Sequence, residues 1–447
     1  MELTEREERK REAHRNLYAP LQEQPIDLDE IFQIMIDSIR YQYVGFEKKK
    51  RAFTPTEYRT YILSHHRYNT LTMQMLARSL HQFAADMNDR NLVFACDDWI
   101  DYRNTRPRFR VRAQRDCLWV TAAAPESGFV PGDRLLTIQR QTPEQIRRYM
   151  RGNSFYSHEP ERELWGGYLS MAASAEVEHP DGTRETIRIR QFPAVEEDYP
   201  IAFDAPGEGV VRLRLERLDR EEIEALITEH GSEIAGAEKL ILDLRRCVGG
   251  EEEAVYPLLP YLIDRERSLA ELLGEQGHYV NCTAGNCELR YRVLAAFQER
   301  LSDPEEIALV EAEKQFYLTH HGKGLVYRPG APVEERFFRP AEKAPKQVVV
   351  ITDCFCEQEG ESFVALCRRC GEKVRVIGRP TRGTLDYFDP ITVALNEHMT
   401  ISYPIAMSVE AYEGRGIAET GLPVDEYIPW TPEEIGEDLL LKKALAC

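Results

Sequence analysis

The 447-residue sequence contains no uninterrupted apolar stretch of the roughly 18 residues that a membrane helix needs, so no span is expected. Its opening residues, Met1-Glu-Leu-Thr-Glu-Arg-Glu-Glu-Arg-Lys10, carry none of the apolar run of a secretory signal, and the expected location is cytoplasmic. Basic residues are in deficit: 57 Lys and Arg against 76 Asp and Glu give a formal net charge of −19. That surplus repels phosphate backbones and anionic lipid, which argues against nucleic acid or a membrane as partner. The ten cysteines lack the spacing of a small disulfide scaffold. Cys354, Cys356, Cys367 and Cys370 cluster, but the first two share a strand exit and the others lie one turn apart on a helix. Ordinary buried thiols are expected there rather than a zinc site, and neither a metal nor another cofactor is expected. Repeats and low-complexity tracts are also missing. What is present is globular: 43% hydrophobic and 30% charged residues, with length for two or three domains.

Three compositional regimes divide the chain. Residues 1–102 read as a helical domain, with apolar positions three and four apart in Asp27–Ile39 and again along Leu71, Met75, Leu76 and Leu80. Residues 103–193 switch to a period of two, in Arg108–Arg112 and Cys117–Thr121. A hairpin follows, turning at Asp181-Gly182. Residues 194–447 alternate strand and helix, which marks a layered α/β domain, and residues 265–340 interrupt that rhythm as a charged, helical insertion.

Four segments, in order, carry a resemblance. They are Leu242-Asp-Leu-Arg-Arg-Cys-Val-Gly-Gly250, then Val349–Asp353 leading into Gly360-Glu-Ser-Phe-Val364, then Gly378-Arg-Pro-Thr-Arg-Gly383, and finally Gly414-Arg-Gly-Ile417 with Leu422–Pro429. Together they resemble the tail-specific (C-terminal processing) and tricorn-core serine peptidases, over roughly residues 27–435. Ala124–Ile138 is similar to the PDZ-like module that these peptidases place before their core. The resemblance implies a crotonase/ClpP-like layered core. It also implies a serine at a helix start, where backbone N–H groups favour developing negative charge.

The same resemblance points to residues that cannot do this chemistry. The nucleophile position, three residues before the acidic Glu361, falls on Gln358, and Cys356–Glu361 contains no serine. An amide forms no acyl intermediate. The Ser-His pair of the tricorn-like branch maps to Arg90 and Asn91, and Asn91 does not titrate. The lysine of the other branch maps to Thr384. Gly249 and Gly250, with Glu359 and Gly360, retain the backbone of a pocket for a carbonyl or carboxylate, although a tight turn alone explains a glycine pair. Glu357, Glu359 and Glu361 crowd one helix start, where simple capping is the plain expectation. Glu410 and Glu413 stand near the place where the tricorn-like branch keeps a glutamate. The pairs His65-His66 and His320-His321 diverge on their helices, so no shared ligand is expected. The expectation is a homologue that binds extended peptide or unfolded protein without hydrolysing it, the alternative being a serine-type endopeptidase with a displaced catalytic residue.

Overall fold

In the computed structural model, described for Leu21 and residues 26–97, 105–149, 162–163, 165–193, 195, 198–274 and 276–447, three hydrophobic clusters mark three regions. The N-terminal region packs α1 (Leu28–Asp37), α2 (Pro55–Arg67) and α3 (Met73–Ala85). Asp27 starts α1 by accepting from the Glu30 N–H, and Thr72 starts α3 in the same way with Met75. α2 and α3 are two helices rather than one continuous one. Asn69, at φ +54°, separates them, because a left-handed residue cannot continue a right-handed helix.

The strand-rich module is a five-stranded antiparallel meander. Its strands are β2 (Phe109–Gln114), β3 (Cys117–Ala123), β4 (Arg134–Ile138), β5 (Ser174–Glu178) and β6 (Arg184–Arg188). The β5–β6 hairpin turns at the predicted Asp181-Gly182, with Gly182 at φ +86°.

The core is a six-stranded sheet. In space its order is β16 (Glu426–Tyr427), β13 (Val374–Gly378), β12 (Gln347–Thr352), β9 (Lys239–Asp243), β8 (Val210–Leu215) and β7 (Ile201–Gly207). All neighbours run parallel except β7 with β8. Strands β9 and β12 are apolar on both faces because both faces are covered. On one side lie α4 (Arg220–Gly236) and α7 (Glu359–Cys370). On the other lies α8 (Leu439–Ala446), seating Leu440 and Ala444 on Ile241, Val349, Ile351 and Ile377. The buried Lys239 ammonium on β9 closes α8 by donating to the Ala444 and Leu445 carbonyls, at 3.0 and 2.9 Å.

The insertion 265–340 is not purely helical. It carries a helical hairpin of α5 (Ala284–Gln298) and α6 (Pro304–Thr319), flanked by β10 (His278–Cys282) and β11 (Gly324–Arg328). These two strands join a second sheet around β15 (Met399–Ser408). One edge of β15 carries β14 (Tyr387–Ala394); the other carries β10 and, from the first domain, β1 (Val93–Cys96). The residues after Gly250 form no long α-helix. Glu252–Leu258 is a 3₁₀ helix followed by one α-turn, because Pro257 and Pro260 remove the donors a longer α-helix requires.

Candidate active site

The chain leaves β12 through Asp353–Glu357 and turns sharply into α7 at Gln358. That residue sits at φ +54°, ψ −128°, a conformation that costs a side-chain-bearing residue about 1–3 kcal/mol. Its side chain is exposed at the tip of the turn. Two loops hold the strained turn through three hydrogen bonds. The Gln358 N–H donates to Thr384 Oγ1 at 2.7 Å, the Glu357 N–H to the Cys247 carbonyl at 2.8 Å, and the Arg382 N–H to the Cys356 carbonyl at 2.8 Å.

Glu361 fastens the loop that bears Arg382 and Thr384. Its carboxylate is fully buried and accepts from Thr381 Oγ1, the Gly383 N–H, the Thr384 N–H and Thr384 Oγ1, all at 2.5–2.6 Å. Burial raises its pKa, and these donors pull it back. Capping is therefore not what the acidic trio does: α7 has no side-chain cap. Glu357 instead pairs with Arg90 Nε at 3.1 Å, and Glu359 folds back so that Oε2 accepts the Gly250 N–H at 3.0 Å. The carboxylate of Glu359 thus occupies the donor that the glycine pair offers.

The two glycines have separate reasons. A Cβ on Gly249 would lie 2.4 Å from Glu359 Oε2 and 2.9 Å from Gln358 Cβ, so that glycine permits the approach to the turn. A Cβ on Gly250 would lie 2.1 Å from the Leu218 carbonyl oxygen, a constraint of chain packing. Gly360 lets α7 sit on Cys247, whose Sγ would be 2.9 Å from its Cβ.

Asn91, just before β1, points its amide into the same place. Nδ2 donates to the carbonyls of Tyr387 at 2.6 Å and Thr384 at 3.2 Å. The half-buried Asp89 positions this turn, accepting from the Asn91 N–H at 2.9 Å and the Tyr43 hydroxyl at 2.6 Å. Gln358, Asn91, Arg90, Thr384, Gly249, Gly250, Glu359 and Gly360 therefore gather at one place. Glu410 and Glu413 do not join them: both are exposed, and Glu413 pairs with Arg415.

The cysteines nearest the turn are poor substitutes for a nucleophile. Burial pushes the Cys247 thiol up to about 12 and the Cys356 thiol well above its ordinary value. Among the described residues, no group of three or more His, Cys, Asp or Glu is arranged to hold a metal ion. Among them too, no helix is long and apolar enough to cross a membrane. Sequence reasoning missed Arg382, Thr381 and Asp353. The signal for the first two was present in Gly378-Arg-Pro-Thr-Arg-Gly383, which is more polar than a turn requires.

A strand-rich module set before a layered α/β core with a strained strand-to-helix turn defines a peptidase scaffold. Residues 208–428 match peptidase family S41, and the chain carries a domain of that family. The fold is also that of solved structures. Mature CPAF complexed with lactacystin superposes at a TM-score of 0.60 with 14% identity, over 97% of this chain and 98% of that one. Mature CPAF alone gives 0.59 with 12% identity, over 97% and 96%. A photosystem II D1 C-terminal processing protease overlaps more loosely, at 0.40 with 14% identity over 91% and 94%. No curated protein matches the chain.

Proposed function

We propose that this S41-family chain binds extended peptides or protein C-termini without cleaving them. One observation carries the reading: the strained turn is kept, but its tip is an amide. Backbone strain at a residue other than glycine persists only where its surroundings enforce it, and it concentrates at functional positions. Here two hydrogen-bonded loops enforce it around Gln358. Gln358 has no nucleophilic atom of useful basicity. The amide of Asn91, at the base position, is already committed to two carbonyls, and Glu359 covers the Gly250 donor. Binding needs none of the lost groups, because a peptide can be held by adding a strand to a sheet edge.

The test uses fluorescent casein and a serine-directed phosphonate. The purified protein is expected to leave the casein intact and to remain unlabelled; turnover by the native sequence, abolished by the phosphonate, would overturn the reading. The double substitution Gln358→Ser with Asn91→His is expected to introduce slow casein cleavage, since it restores a hydroxyl and an imidazole to neighbouring positions.

A further inference from the structure

In a chain of net charge −19, three arginines converge beside the strained turn. Arg90 comes from the N-terminal region, Arg162 from the segment after the strand-rich module's first half, and Arg382 from the loop that Glu361 fastens. The positive charges of Arg90 and Arg162 both bear on Arg382, and Glu357 lies close to Arg90 and Arg382. Two of them have evident work. Arg90 pairs with Glu357 at 3.1 Å. Arg162 braces the 380–382 loop, donating to the Pro380, Thr381 and Arg382 carbonyls at 3.3, 2.7 and 3.1 Å.

Arg382 is different. Its backbone is pinned, with the N–H on the Cys356 carbonyl at 2.8 Å and its own carbonyl held by Arg162. Its half-buried guanidinium has no hydrogen bond and no ion pair among the described residues. The nearest carboxylate, Glu357, is engaged by Arg90. Burial, reinforced by the positive charge of Arg90, lowers its pKa to about 10, so it stays charged at neutral pH. A guanidinium presents five donors in a planar fork shaped for a carboxylate, and a half-buried one with no partner in the chain keeps that fork open to a ligand. The position is also functional in place: Arg382 is tied to the residue two before Gln358.

We propose that Arg382 is a carboxylate seat, its open fork taking a carboxylate of a peptide laid across the turn at Gln358. Arg90 and Arg162 add attraction without occupying the fork. The inference rests on the peptide-binding reading and specifies its chemistry. A carboxylate reaches the seat either as a chain terminus or as an Asp or Glu side chain.

One dye-labelled decapeptide without charged side chains, made in three forms, distinguishes these sources by fluorescence anisotropy. The forms are the free C-terminal acid, its amide, and the amide carrying one internal Glu. The wild-type protein is expected to bind the acid, the Glu-containing amide, or both at least about tenfold more tightly than the plain amide, the value of a bidentate charged hydrogen bond. The preferred form names the source. Arg382→Gln is expected to erase the preference, and Arg382→Lys to retain part of it. Equal binding of all three forms by the wild-type protein overturns the seat and leaves the peptide cleft standing. Binding of none overturns both. The decisive comparison is between ligands on one unaltered protein, so a variant that folds poorly does not blur it.

Discussion

Glu361 illustrates how a residue without chemistry can govern a site. Four donors converge on its buried carboxylate, so the loop bearing Thr381 and Thr384 is fixed to the first turn of α7. Thr384 in turn accepts the Gln358 N–H, and the strained turn depends on that chain of bonds. Replacing Glu361 with Ala leaves two backbone N–H groups and two hydroxyls without an acceptor in a dry interior. The expected cost is about 3–5 kcal/mol of unfolding free energy in urea titrations. Glu361→Gln, which keeps one acceptor oxygen, is expected to lose less. Equal stability of the alanine variant and the parent would show that water replaces the carboxylate there.

Between elements, the contact of α2 with α3 carries a pH dependence. Asp86 follows the last turn of α3, buried, accepting from Tyr58 on α2 at 2.5 Å and from Gln82 at 2.8 Å. Burial raises its pKa from 3.8 to about 6, although both hydrogen bonds oppose the rise. A raised carboxyl pKa means that the folded state holds the proton more tightly. Its stabilising contribution is full below about pH 4 and is lost as pH rises through about 6. Asp86→Asn is expected to remove this component. Its stability relative to the parent should rise by about 2–3 kcal/mol between pH 4 and 7. Parallel melting curves at both pH values would refute the assignment. The elements themselves were unequally legible. Apolar strands such as Gln347–Thr352 and the Asp181-Gly182 hairpin declare themselves locally, through period and turn chemistry. The second sheet does not: Val93 pairs with Ser402, and four residues offer too short a pattern to announce a partner some three hundred positions away. The glycine pair was readable, but the fold-back of Glu359 onto Gly250 was not, because that bond links segments distant in sequence. Arg382 stood inside a noted motif, yet its lack of a partner is a property only of the assembled loops.

At the scale of the whole molecule, a well-buried ion pair joins the strand-rich module to the core. Arg112 on β2 reaches Asp353 Oδ2 at 3.0 Å, and its guanidinium lies 4.9 Å from the Phe355 ring centre. Asp353 also accepts the Arg246 and Phe355 N–H groups, at 3.1 and 3.0 Å. One carboxylate thus joins the module, the turn before Gln358 and the glycine loop. Removing the arginine strands a nearly buried negative charge. Arg112→Ala is expected to cost about 3 kcal/mol and to speed amide exchange in residues 353–358. Unchanged exchange in that loop would mean the module only rests on the core.

The seating of α8 has a consequence for synthesis. Strands β9, β12 and β13 are made many residues before the helix whose Leu440 and Ala444 shield their second face. A nascent chain that already holds all three strands still shows bare Ile241, Val349, Ile351 and Ile377 to its surroundings. Sealing waits until residues 439–446 emerge and Lys239 grips their carbonyls. During that interval a sheet otherwise ready to close is open to any holdase, or to another unfinished copy.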